Sequence, residues 1–159
     1  MRTEQEVNRV VEQYSDMLLR LCTVYLKNPH DAEDVLQTVF LKYVLSKQEF
    51  ESEEHEKAWL IRVASNQCKD VLKNFFRKHT VSLEEMADIG VSREQFGVLE
   101  AMWSLPKAYR EVIYLHYYEG YTAPEIARIL RKNANTVYTH LFRGKELLKD
   151  LLGGEVCGT

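Results

Sequence analysis

Between Asn28 and Asp34 the sequence places one histidine and three carboxylates around a single helical turn. Carboxylate and imidazole groups bind divalent metals, and paired carboxylates are common in acid–base catalysis. His30, Asp31 and Glu33, however, spread around a helix together with Asp34, and no second ligand cluster or nucleophile accompanies them. The simplest alternative is a helix N-terminus, whose dipole favours acidic residues. We therefore expect neither a metal site nor a catalytic site here.

Three amphipathic helices are predicted in the first half of the chain. Apolar residues at alternating steps of four and three predict the first helix over about residues 4–27. Asn28 is the expected cap of a second helix, with Pro29 at its first position. The polar segment 46–57 predicts a loop, and the sequence "AWLIRVASNQCKDVLKNFF" after it predicts the third helix. The second helix then has an outward strip that changes from polar to apolar, the pattern of a surface that docks on another helix: Asp34, Gln37, Thr38 and Leu41.

The third helix carries a basic face. Residues 57–80 contain six Lys and Arg against one acid, whereas residues 1–56 contain six against twelve. A solvated helix face is the common alternative, but such faces usually mix signs, whereas this one fits contact with phosphates. The residues of this basic ridge fall within an arc of about 80° on a helical wheel: Arg62, Asn66, Lys69, Lys73 and Arg77.

The second half of the chain has the pattern of a helix-turn-helix unit. Pro106 separates two helical segments, and Thr122 and Glu125 stand at capping-box spacing before a short helix. Asn133 is the expected cap of a longer helix, whose outward face carries two aromatic rings and one arginine. The inward residues are Val137, Leu141, Gly144 and Leu148, and the outward ones are Asn135, Tyr138, Thr139, Phe142 and Arg143. Aromatic side chains fit thymine methyl groups or sugars better than they fit water.

Other features narrow the class of protein. No apolar run is long enough to cross a membrane and no signal peptide is visible, which predicts a cytoplasmic protein. Cys22, Cys68 and Cys157 are too far apart for a Cys-x-x-Cys zinc or redox pair, so we expect free thiols. The predicted fold is all-α, with two small helical domains at residues 1–79 and 93–159 joined by a linker at residues 80–92.

These motifs together resemble the sigma factors of bacterial RNA polymerase, specifically the small extracytoplasmic-function group that keeps only the second and fourth conserved regions. "DAEDVLQTVFLK" resembles region 2.2, and "AWLIRVASNQCKDVLKNFFRK" resembles regions 2.3 to 2.4. "LPKAYREVIYLHYYEGYTAPEIARIL" followed by "NTVYTHLFRGKELL" resembles region 4. The resemblance covers nearly the whole chain. It implies an initiation factor without catalytic activity or cofactor, which binds core polymerase and directs it to a two-part promoter.

The resemblance also implies roles for individual residues. The docking strip, together with Asp31, would face the coiled coil of the polymerase clamp, and region 4 would meet the polymerase flap. The basic ridge would approach the minus-ten element, and the loop from Ser46 to Glu56 would capture a flipped base. An anti-sigma factor is a further implied candidate partner. The residues expected at the minus-35 element are Asn135, Thr136, Tyr138, Thr139, Phe142 and Arg143.

Two other classes compete with this interpretation. The first is a transcription regulator that binds duplex DNA through the helix-turn-helix without polymerase, with the N-terminal helices acting as a sensor or dimer module. The second is a carboxylate-dependent nuclease, which the acidic residues after Asn28 would serve. Binding to purified core polymerase separates a sigma factor from the regulator, and a metal-dependent cleavage assay tests the nuclease.

Overall fold

A computed structural model describes residues 2–74 and 100–152 of the chain, and every regular element in these two ranges is helical. The chain divides into two compact units, residues 1–80 and 81–159. The all-α fold with two small domains is therefore confirmed. The predicted linker at residues 80–92 and Cys157 lie outside the described residues.

The first unit contains three helices, each of which packs on the other two. Their bounds are α1 Glu4–Leu26, α2 Pro29–Leu45 and α3 Glu53–Asn74. Large apolar side chains and the two thiols of Cys22 and Cys68 fill the space between the helices. The core is built mainly from Leu18, Leu21, Cys22, Val35, Val39, Tyr43, Leu60, Ile61, Ala64 and Cys68, all of them buried.

Local capping sets the boundary between α1 and α2. Lys27 ends α1 in the left-handed conformation, with φ 61°, and its N–H donates to the carbonyl oxygen of Thr23. The Asn28 side chain then accepts hydrogen bonds from the N–H groups of His30 and Asp31, at 2.9 and 3.2 Å. Asn28 is therefore the cap that the sequence predicts, with Pro29 at the first helical position.

The predicted loop of residues 46–57 is wrong in extent, because α3 already begins at Glu53. The Ser52 hydroxyl accepts the N–H of His55 at 3.1 Å, which satisfies one free donor at the helix start. Glu53 and Glu54 then occupy the first turn, where the helix dipole favours acids. The connecting loop is thus shorter, residues 46–52, and Glu56 belongs to the helix.

The second unit begins, in its described part, with a helical segment at residues 100–103. Pro106 then precedes a helix that continues as a π-helical segment, and two further helices follow. Their bounds are α4 Lys107–Ile113, the π-helical segment Tyr114–Tyr118, α5 Ala123–Leu130 and α6 Ala134–Leu151. α6 packs on both α4 and α5. The predicted break at Pro106 is therefore confirmed.

Gly144 lets α6 approach α4 closely. A Cβ atom at this position would lie 3.0 Å from Cγ1 of Ile113 and 3.3 Å from Cβ of Tyr109. Val137 and Leu148 are buried on the same face of α6, and Leu141 is half-buried. The predicted inward arc of this helix is therefore the packed one, which leaves the opposite face exposed.

Candidate protein-docking and nucleic-acid interfaces

The predicted docking strip on α2 is exposed at three of its four positions. Asp34, Gln37 and Leu41 are exposed, and the Leu41 side chain keeps 58% of its surface accessible. Thr38 is half-buried, and its hydroxyl donates to the backbone carbonyl of Asp34 at 3.2 Å. Leu41 is therefore an exposed apolar side chain on a helix whose other face is packed.

Asp31 does not belong to this exposed strip, and its contact with the polymerase stays a prediction from the resemblance. Only 7% of its surface is accessible. The reason is helical geometry, because Asp31 stands four residues before Val35 and eight before Val39, on the face that packs into the core. The N–H of Asp31 also donates to the Asn28 side chain, which places the residue inside the capped first turn.

Leu45 extends the strip by one helical turn, and sequence reasoning missed it. Its side chain is 60% accessible, and it follows Leu41 at the four-residue spacing of one helix face. The two leucines form an exposed apolar pair at the C-terminal end of α2. The four-residue spacing could have indicated the pair. Leu45 was missed because it directly precedes the predicted loop, where no helical face is assigned.

Glu56 carries a buried carboxylate at the centre of a polar cluster in the first unit. Its Oε2 accepts a hydrogen bond from the hydroxyl of Tyr43 at 2.8 Å and forms an ion pair with Arg9 at 2.9 Å. Burial, followed by the hydrogen bond with Glu56, raises the pKa of Tyr43 to about 12. The carboxylate therefore joins α3 to both α1 and α2, and it is not available to contact a nucleic acid from a loop.

The basic ridge on α3 is partly open to solvent. Asn66 and Lys73 are exposed, whereas Arg62 and Lys69 are half-buried and already engaged in polar interactions within the protein. Arg77 lies outside the described residues. The α3 face therefore offers the exposed amide of Asn66 and the exposed ammonium group of Lys73, flanked by two half-buried cations.

The helix-turn-helix has the caps that the sequence predicts. Thr122 and Glu125 form a reciprocal capping box, with hydrogen bonds of 2.9 and 3.2 Å. Arg131 ends α5 in the left-handed conformation, with φ 56°. The Asn133 side chain then accepts the N–H of Asn135 at 2.8 Å and starts α6. These local bonds fix the turn that orients the second helix of the motif.

The outward face of α6 is exposed along its whole predicted length. Phe142 is 69% accessible and Tyr138 is 55% accessible, so more than half of each aromatic side chain is open to a partner. The Thr139 hydroxyl donates to the backbone carbonyl of Asn135 at 2.9 Å, which holds it along the helix. The exposed residues of this reading face are Asn135, Thr136, Tyr138, Thr139, Phe142 and Arg143.

His140 lies on the side of α6 between the reading face and the core. Its ring packs against Tyr109 with centroids 5.0 Å apart, and its buried Nδ1 has no hydrogen-bond partner among the described residues. Burial lowers the pKa of His140, and the cations of Lys132 and Arg143 lower it further. His140 is therefore held towards its neutral form and adds no cation to the reading face.

The described residues also bear on two other kinds of function, metal binding and membrane crossing. Within residues 2–74 and 100–152, no group of three or more His, Cys, Asp or Glu side chains could hold a metal ion. None of the helices in those ranges has the length and apolar character needed to cross a membrane.

Comparisons with known proteins assign both units to the same family. The sequence profile of Sigma-70 region 2 matches residues 10–80, and that of Sigma-70 region 4 matches residues 96–148. The chain is 28% identical over 162 residues to the ECF RNA polymerase sigma factor SigW of Bacillus subtilis, covering 90% of this chain and 87% of that protein. It is 28% identical over 134 residues to the RNA polymerase sigma factor SigV of the same organism, covering 82% of this chain and 81% of that one.

A solved structure has the same fold. The sigma factor RpoE of Bartonella quintana, crystallised in complex with the anti-sigma factor NepR, matches with a TM-score of 0.79 and 19% sequence identity. The match covers 96% of this chain and 99% of that one. At this identity the likeness concerns the fold, and it extends over the length of both chains.

Proposed function

The chain belongs to the extracytoplasmic-function group of the sigma-70 family, and from this premise we propose how its two units divide the work of initiation. As a sigma factor it binds core RNA polymerase, directs promoter-specific initiation and is not an enzyme. The proposal concerns which surfaces carry these steps. It rests on the exposure and chemistry of the α2 strip, the α3 ridge and the α6 reading face.

We assign polymerase docking to the outward strip of α2. Asp34, Gln37, Thr38 and Leu41 form its polar-to-apolar course, and Leu45 continues it. The observation that carries this assignment is the pair of leucines, each more than half accessible, on a helix whose opposite face is the core. A helix from the polymerase would bury both side chains, and apolar residues at the centre of an interface contribute most of its energy.

We assign the minus-ten element to α3, through Arg62, Asn66, Lys69 and Lys73, with Arg77 added on the resemblance alone. Lys73 is the exposed cation that would meet a phosphate, and Asn66 is the exposed amide that could contact a base edge. Arg62 and Lys69 are half-buried on the same face and would add two cations to it. The α3 face would act after docking, when polymerase brings the promoter to it.

We assign the minus-35 element to the reading face of α6. Tyr138 and Phe142 would contact thymine methyl groups or sugars, and Arg143 would bind a guanine edge or a phosphate. Asn135, Thr136 and Thr139 supply short polar groups at the N-terminal end, which is the end that meets the bases in a helix-turn-helix. The surface is unusually apolar for a DNA-binding helix.

The same family assignment suggests further partners. Region 4 would also meet the polymerase flap, and an anti-sigma factor would hold the protein inactive, as the complex of RpoE with NepR illustrates for that relative. The site of action would be the cytoplasm, where the polymerase and the promoters are.

Reconstituted transcription tests the proposal. Core polymerase from the same organism should produce transcripts from a subset of a promoter library only when this protein is added, and permanganate should detect the melted strand. Lys73→Ala should reduce melting with a shallower salt dependence, because removing one cation–phosphate interaction lowers the salt slope by about one. Transcription no better than with core polymerase alone would contradict the function, and unchanged melting by Lys73→Ala would contradict the α3 assignment.

A further inference from the structure

Arg2 connects the residues before α1 to the loop between α2 and α3. Its Nε donates to the carbonyl oxygen of Tyr43 at 3.0 Å, and its Nη2 donates to the carbonyl oxygen of Gln48. The guanidinium carbon lies 4.2 Å from the centre of the Tyr43 ring and 5.0 Å from that of Phe50. Only 13% of the side chain is accessible. The contacts join chain segments more than forty residues apart.

The guanidinium suits this position for geometric reasons. A planar fork can donate to two carbonyl groups at once and still present its face to aromatic rings, which a lysine ammonium cannot do. The Tyr43 carbonyl belongs to the last turn of α2 and also accepts the N–H of Ser46 at 3.2 Å, so the guanidinium bonds to its second lone pair. The Gln48 carbonyl belongs to the loop itself. Arg2 therefore ties the end of α2 to the middle of the loop.

The loop is held from its other side by aromatic rings. Phe50 stacks on Tyr43 with the ring planes 8° apart, and it meets Trp59 and His55 edge-on at 5.7 and 5.3 Å. The N–H of Glu51 donates to Nδ1 of His55 at 3.1 Å. The loop thus lies between Arg2 and the first two turns of α3. Among the residues that make these contacts, Arg2 is the one that belongs to neither α2, α3 nor the loop.

The acidic charge of this loop limits the ways in which it can contact DNA. Glu49, Glu51, Glu53 and Glu54 are all exposed around it, so it cannot attract DNA phosphates. A segment with this charge contributes to strand recognition only through a fixed backbone and fixed ring edges. Holding such a backbone in one conformation before the DNA arrives lowers the cost of binding.

We propose that Arg2 is a positioning residue for minus-ten recognition, which fixes loop 46–52 in the conformation that meets the unstacked promoter strand. The inference rests on the proposed function, because the loop has this role only in an initiation factor. Arg2 acts through the loop and touches no base itself. Its removal should therefore alter the selection of bases in the minus-ten element while polymerase binding and upstream selection stay as they are.

The test compares the full-length parent with Arg2→Ala, Arg2→Lys and a control, Arg20→Ala. Arg20 is an exposed arginine of α1 outside loop 46–52, so the control removes the same charge and leaves the contacts between Arg2 and the loop in place. Hydrogen exchange of the Gln48 and Glu51 amides should accelerate about tenfold or more in both Arg2 variants, as expected for the removal of charged hydrogen bonds. Exchange at Ile61 in α3 should stay at the parent rate, which shows that the unit remains folded.

The functional measurement is selection from a promoter library randomised in both elements, with core polymerase affinity measured alongside. Both Arg2 variants should relax the preference at one minus-ten position about tenfold, keep the parent's upstream preference and bind core polymerase within about twofold of the parent. Parent-like minus-ten preference in Arg2→Ala, full rescue by lysine, or equal relaxation in Arg20→Ala would overturn the inference. If the parent itself initiates at no specific promoter, the proposed function fails instead.

Discussion

A tyrosine donates a hydrogen bond to a glutamate in each unit, and both bonds are 2.8 Å long. In the first unit Tyr43 of α2 reaches Glu56 of α3, and both side chains are buried. In the second unit Tyr114 reaches Glu119 at the other end of the π-helical segment, and Glu119 is partly exposed. The same contact joins two helices in one unit and closes a local turn in the other. Its contribution to stability depends on whether water can replace it.

The two units also differ in how many helices carry their proposed contact surfaces. The first unit places its proposed functions on two helices, with docking on α2 and DNA contact on α3. The second unit concentrates its reading face on α6 alone. Because its two proposed contact surfaces lie on different helices, the first unit must hold α2 and α3 in a fixed relative position. The buried Glu56 carboxylate links α3 to both α2 and α1. The second unit presents a single helix, which is held by local caps, by the close approach at Gly144 and by the ion pair of buried Glu111 with Lys132 at 3.6 Å.

The largest expected effect comes from removing the buried hydrogen bond. Tyr43→Phe should lower the free energy of unfolding of the first unit by about 1.5 to 3 kcal/mol, the range for hydrogen bonds to charged groups. Tyr114→Phe should cost the second unit about 1 kcal/mol or less, because water can reach Glu119. The chain has two tryptophans, Trp59 and Trp103, one in each unit, so each unit can be followed separately.

The measurement is denaturant unfolding by tryptophan fluorescence. Trp59 reports on the first unit in a Trp103→Phe background, and Trp103 reports on the second in a Trp59→Phe background. Each background without the tyrosine change is the control. Equal destabilisation of the two units would mean that burial does not separate the two bonds.

The next effect concerns the reading face of α6. Arg143→Ala should remove about 1 to 3 kcal/mol of discrimination at one upstream base if the arginine binds a guanine edge, and should weaken all sequences equally if it binds a phosphate. Phe142→Ala should relax the preference at a thymine with little change in salt slope, because a ring releases no counterions. A library randomised upstream measures both. Parent-like selection by both variants would mean that α6 does not read the promoter.

A smaller effect is expected where each unit ends a helix in the left-handed conformation. Lys27 and Arg131 have φ of 61° and 56°, which costs a residue with a side chain energy that glycine avoids. Lys27→Gly and Arg131→Gly should each stabilise their own unit by about 0.5 to 1 kcal/mol. Arg128→Gly, within α5, is the control and should destabilise by about 1 kcal/mol. Lower stability in the first two variants would contradict the backbone explanation.

Changes of pH should destabilise the two units at opposite ends of the pH scale, the second unit in acid and the first in alkali. The pKa of His140 is lowered from 6.5, so the second unit keeps its full stability above that pH and loses part of it as the pH falls through the folded pKa. The pKa of Tyr43 is raised from 10.0 to about 12, so the first unit loses stability as the pH rises through that interval. His140→Gln should flatten the acid limb and Tyr43→Phe the alkaline limb. Unchanged limbs in these variants would assign the pH dependence to other groups.

Capping residues and helical periodicity in the sequence predict the helix boundaries of both units well. Asn28, Asn133 and the Thr122–Glu125 pair act within one helical turn, so their residue types and spacing determine their structure. The inward and outward faces of α6 follow from helical periodicity in the same way. Asp31 was assigned to the polymerase-facing surface from the family resemblance, whereas its position relative to Val35 places it on the packed face of α2.

Long-range contacts account for what the sequence could not predict. Glu56 lies among five glutamates of a polar segment, and nothing local distinguishes the one that is buried. Its burial depends on Arg9 and Tyr43, which are 47 and 13 residues away. Arg2 is a similar case, because its contacts with the loop arise only after the three helices have packed.

The most direct test of the proposal that α2, and not α6, docks on the polymerase is an equilibrium titration of core polymerase into the labelled full-length protein. Gln37→Ala and Leu41→Ala should each weaken binding by about 1 to 2 kcal/mol, with helix content unchanged, since each removes an exposed part of the α2 strip. Glu12→Ala, an exposed change on α1, and Phe142→Ala on α6 should bind as the parent does. Undiminished polymerase binding by the Gln37→Ala, Leu41→Ala double variant would contradict the docking role of α2.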